Sequence, residues 1–116
     1  MSIPIAKVTA EAERVFDEIN RTYHGGALPK YSFAVVSSLP DAPANAVAQT
    51  DGPAKTIYLR LDLWPRDEGG IPEEQLRNVL AHESIHARLF ADDNPNWKSC
   101  ASDEFKEQKA KIPIAR

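Results

Sequence analysis

The stretch from Pro72 to Phe90 constrains the fold of this chain more than any other. Read at helical spacing, Leu76, Val79, Leu80, His82, Glu83, His86, Ala87, Leu89 and Phe90 fall on one continuous arc, while Arg77, Ala81, Ser84 and Arg88 fall outside it. Gly69-Gly70 forms a connection, and Pro72-Glu73-Glu74 then supplies a proline and two acids suited to a first helical turn. The spacing predicts a central helix from Pro72 to Phe90 that packs on the rest of the protein along this arc. Two imidazoles and a carboxylate lie in the arc, where an unpaired polar group is costly.

A metal ion removes that cost. His82 and His86 are four residues apart, one helical turn, so both imidazoles can grip one tetrahedral ion, and zinc is the expected cofactor. Glu83 follows the first histidine directly. From there its carboxylate reaches a metal-bound water rather than the metal and can act as general base. His-Glu-x-x-His recurs by chance, but here it sits on a predicted helix, inside the apolar arc and after a predicted strand.

Composition narrows the remaining choices. With 116 residues and 42% apolar content, the chain is expected to form a single domain over residues 1–116. Fourteen basic against 17 acidic residues give a net charge of −3, which offers no footprint for nucleic acid or an anionic membrane. Cys100 is the only cysteine, which excludes an internal disulfide and a Cys-x-x-Cys ribbon. No signal-like or membrane-spanning run is present, so a cytoplasmic protein is expected, with signal-independent export as an effector left open.

Elsewhere the pattern predicts an α+β order. Thr9 is placed to cap a helix whose apolar positions are Ala12, Val15, Phe16, Ile19 and Tyr23, ended by Gly25-Gly26. Tyr31 to Val36 reads as a strand, Asn45 to Gln49 as a short one, and Ile57, Leu59, Leu61 and Leu63 as one face of a strand running to Pro65. A last helix is expected to start between Ser99 and Ser102 and to run to Lys111.

The chain resembles the SprT-like zinc peptidases. The resemblance is carried by Phe16-Asp17-Glu18-Ile19-Asn20 followed by Gly26-Ala27-Leu28-Pro29, by Thr56-Ile57-Tyr58-Leu59, by Val79 to Ala87 with its His-Glu-x-x-His, and by Asp103-Glu104-Phe105-Lys106. It implies a minimal zincin: an N-terminal helix, a small twisted, mostly antiparallel sheet of three to four strands, a metal-binding helix and a C-terminal helix. The family's usual third histidine corresponds here to Ala101. The resemblance to zincins with a glutamate ligand makes Glu104 the first candidate for the third ligand, with Cys100, Asp103 or no third protein ligand behind it; His24 sits far upstream in a turn and is disfavoured.

The function so implied is a zinc-dependent endopeptidase taking polypeptide in extended form along the sheet edge near Asn45 to Gln49, with an inhibitory or targeting protein as a further partner. The alternatives are a SprT-like binding or regulatory module that has lost turnover, and a peptidase toxin or effector domain. Asp92 and Asp93 are candidates to orient an imidazole from outside, and Tyr23, Tyr31 and Tyr58 to stabilise an oxyanion.

Overall fold

The computed structural model describes residues 1–113. Its elements are β1 (Ser2–Ile3), α1 (Val8–Tyr23), β2 (Ser32–Val35), β3 (Ala48–Asp51), β4 (Thr56–Leu59), β5 (Ile71–Pro72), α2 (Glu73–Ala91) and α3 (Asp103–Ala110). The fold is α+β. A three-stranded sheet has the order β2-β4-β3, with β2 parallel and β3 antiparallel to β4. A two-stranded antiparallel ribbon, not foreseen from the pattern, pairs Ile3 with Ile71 and ties the N-terminus to the start of α2. Among the described residues no helix is long and apolar enough to cross a membrane.

Helix α1 forms where apolar spacing predicts it and buries Ala12, Val15, Phe16 and Ile19. Thr9 does not cap it. A 3-10 turn over Ile5–Lys7 runs straight into the helix, so Lys7 occupies the cap position without a side-chain bond and Thr9 lies inside the first turn. Gly25 and Gly26 take φ of +60° and +77°, and the Gly26 N–H returns to the Asn20 carbonyl, a left-handed helix ending that suits glycine.

The sheet departs from the alternating pattern in two places. The strand β3 begins at Ala48 and ends at Asp51, further along than the expected Asn45 to Gln49. Strand β4 ends at Leu59, because Arg60 leaves extended geometry and Leu61–Leu63 form a 3-10 turn. Ile57, Leu59 and Leu61 are buried, but Leu63 is 40% exposed, since the change of period turns it outward.

Helix α2 is buried on more of its circumference than one arc. Ala81, Ser84 and Ile85 are fully buried beside Leu76, Leu80 and Ala87. The helix packs on α1, β3, β5 and α3, so it is the element around which the molecule closes. The apolar cluster joins Phe16 and Ile19 of α1, Ile57 and Leu59 of β4, Leu76 and Leu80 of α2, and Phe105 of α3.

Candidate metal centre

The cleft beside α2 has a volume of about 560 Å3 and is bounded by β3, by one face of α2 and by the loop carrying Lys98 and Cys100. His82 and His86 project into it from successive turns, their ring centroids 5.1 Å apart. Phe105 of α3 packs beneath both imidazoles, with centroids at 4.9 and 4.8 Å. This ring is itself buried and backs both imidazoles on the side away from the cleft.

The third converging group is Cys100. Its Sγ lies 3.3 Å from His82 Nε2 and 3.3 Å from His86 Nε2, and the three candidate ligand atoms lie within 4.8 Å of one another. Zinc bonds of about 2.3 Å to sulfur and 2.0–2.1 Å to nitrogen put S and N about 3.6 Å apart around a tetrahedral ion, close to the separations found. His86 Nδ1 lies 2.6 Å from the Trp97 carbonyl, so this nitrogen carries the proton and Nε2 presents a lone pair to Cys100. A cation placed among the three groups would meet a lone pair from each once the thiol is deprotonated. The donor set of two imidazoles and a thiolate therefore fits a divalent metal ion.

Glu104 is not part of this group. Helix α3 starts at Asp103 behind the Ser102 cap, whose hydroxyl accepts from the Phe105 N–H. That phase turns Phe105 inward, leaving Asp103 and Glu104 exposed, with Glu104 on a separate surface groove beside Asp92 and Glu107. The sulfur comes instead from the loop before the cap, at the residue next to the position the resemblance had singled out. His24 is not part of the cluster either: it is buried against Ser84 of α2.

Glu83 lines the same cleft yet is only 5% exposed. Its Oε1 accepts a hydrogen bond of 2.9 Å from the Thr50 hydroxyl, and among the described residues no protein donor reaches Oε2. Burial pushes the Glu83 carboxyl up to about 7, opposed by the bonds from Thr50. Such a group is poised to take or give a proton near neutrality. Burial lowers His82 to about 4, with His86 and Lys109 adding to the effect, and burial also lowers His86 against the pull of the Trp97 carbonyl. Both directions favour the neutral imidazole, the form that can offer a lone pair to a cation. Burial and the nearby Glu83 raise the Cys100 thiol, and a cation bound among these groups would reverse that direction.

Three contributors were not legible in the sequence: Thr50 on β3, the Trp97 carbonyl and Phe105. A carbonyl partner for a ligating histidine carries no residue-type signal at all. Asp92 pairs with Arg88 at 3.2 Å and does not hold an imidazole. Tyr23, Tyr31 and Tyr58 do not line the cleft; Tyr31 packs against Phe16 in the core. Compared with known protein families, with curated proteins and with solved structures, the chain matches none of them.

Proposed function

We propose that this chain is a zinc-dependent endopeptidase in which His82, His86 and Cys100 hold the ion and Glu83 is the general base. The observation that carries the reading is the convergence of two Nε2 atoms and one Sγ beside a buried carboxylate with one free oxygen, all on one cleft. When bound, zinc would polarise the scissile carbonyl and acidify a water molecule. Glu83 accepts the proton of the attacking water and returns it to the leaving amine. Phe105 backs both imidazoles, and the Trp97 carbonyl fixes the tautomer of His86.

The geometry of the cleft supports an extended polypeptide as substrate. Strand β3 is an edge of its sheet and borders the cleft through Ala48, Gln49 and Thr50, so its outer backbone groups are available to a further strand. The remaining wall mixes apolar Ala42, Ala46 and Val79 with polar Asn45, Gln75 and Asn78.

The test combines elemental analysis with hydrolysis of an unfolded protein such as reduced, carboxymethylated lactalbumin. Wild type, Glu83→Gln and Glu104→Ala should each carry close to one zinc per chain, and Cys100→Ala should lose it. Glu83→Gln should cut slower by about 10²–10⁴-fold at unchanged metal content. Zinc retained by Cys100→Ala, or lost from Glu104→Ala, would refute the ligand assignment. Undiminished hydrolysis by Glu83→Gln would refute the base.

A further inference from the structure

We propose that Thr50 is a positioning residue for Glu83, linking the edge strand to the base; this rests on the endopeptidase reading for its catalytic consequence, though not for the contact itself. A hydroxyl on the buried side of a strand is an expensive choice where valine has the same shape, unless it is bonded. Thr50 is 6% exposed, and its register partner on β4 is Ile57, which is fully buried. Its Oγ1 lies 2.9 Å from Glu83 Oε1 and 3.1 Å from the Glu83 main-chain oxygen. One hydroxyl proton is thus shared between the backbone oxygen and the carboxylate of a single residue, which ties the Glu83 side chain to its own main chain through β3.

The consequence concerns which oxygen faces the cleft. With Oε1 held, Oε2 is the atom left for a water or a leaving amine. Among the described residues Thr50 supplies the only side-chain donor within hydrogen-bond distance of this carboxylate. Thr50 also belongs to the strand along which an extended polypeptide would lie, with Gln49 beside it on the cleft wall. A polypeptide bound to β3 is therefore registered against the same backbone that orients the base. A general base misaimed by a fraction of an ångström loses rate without losing substrate affinity.

Two measurements on the full chain test this, one with zinc bound and one independent of activity. For zinc-loaded protein and a fluorogenic peptide, Thr50→Val should lower kcat about 10–100-fold, with KM and zinc content within about twofold of wild type, and Thr50→Ser should recover most of the loss. Separately, urea unfolding of zinc-free protein should give a double-mutant cycle in which Thr50→Val lowers the folding constant about tenfold more beside Glu83 than beside Glu83→Met, where only the bond to the main-chain oxygen is left to lose. An unchanged kcat, a loss that Thr50→Ser does not repair, or a cycle with no coupling would each overturn the assignment. A wild type that binds zinc and cleaves nothing would overturn the endopeptidase reading alone, with the cycle still deciding whether Thr50 holds Glu83.

Discussion

His24 is the polar group whose burial is least compensated. The Ser84 hydroxyl donates to the Ala81 carbonyl at 2.7 Å, so it accepts from His24 Nε2 at 3.0 Å and leaves His24 Nδ1 buried without a partner among the described residues. Burial lowers this histidine to about 4 from its ordinary 6.5. The unfolded chain therefore binds the extra proton across that window, and the contribution to stability is full above about pH 6.5 and lost as pH falls toward 4. His24→Leu removes the titration. Urea unfolding at pH 7.5 and pH 5 should show wild type losing about 2 kcal/mol more than the variant, because the unfolded imidazole is mostly protonated at pH 5 and the folded one is not. Parallel losses in the two proteins would show that His24 is not the group responsible. The contrast with His82, Glu83 and His86 explains what the sequence made legible at this scale. Those three were readable because helical phase links spacing to facing. Cys100 sits in an irregular loop whose path no periodicity predicts, and the expectation of a glutamate on the last helix failed because the Ser102 cap sets a phase that turns Phe105 inward.

Elements were legible where one period holds along their whole length. Helices α1 and α2 keep theirs and were found within a residue or two of their ends. Strand β4 was expected to be longer than it is, because three residues at spacing two are followed by a turn of period three, and buried Leu61 fits either. The parallel pairing of β2 with β4 was not readable, since nothing local in Ser32–Val35 encodes its partner. The Asn20 and Leu28 segments, which carried part of the resemblance, have a physical explanation. Asn20 Nδ2 donates to the Leu28 carbonyl and Leu28 N–H donates to Asn20 Oδ1, both at 3.0 Å, so one side chain mimics a strand partner and ties the end of α1 to the approach to β2. Asn20→Ala leaves two buried backbone groups unpaired and should cost about 2–4 kcal/mol in urea unfolding. Asn20→Asp keeps the acceptor and should cost less. Equal losses would mean that packing, not the paired hydrogen bonds, matters at this position.

At the scale of the whole molecule the candidate metal site would join parts that are otherwise unequally held. Helices α1 and α2 share a packed interface, β3 lies against α2 and β4 pairs with β3, so this half is secured by buried apolar surface. The loop from Asp92 to Ser102 has no regular structure; it is held by the His86 bond to the Trp97 carbonyl, by Trp97 against Phe90 at 5.0 Å, and by an exposed ion pair between Lys98 and Asp41. An exposed pair of this kind contributes about 1 kcal/mol or less. A cation shared by α2 and Cys100 would close this loop onto the helix and seat α3 behind it. Zinc at about a hundredfold over its dissociation constant should then raise stability by about 2.7 kcal/mol, seen as a higher Tm. The gain should be local in hydrogen exchange: amides of residues 94–102 and of α3 become protected on zinc loading, while α1 and β4 change little. Glu83→Gln should keep this response, because its carboxylate is not a ligand, and Cys100→Ala should lose it. If Cys100→Ala showed the same protection as wild type, the ion would have to be held without the loop, and the loop's path would owe nothing to metal.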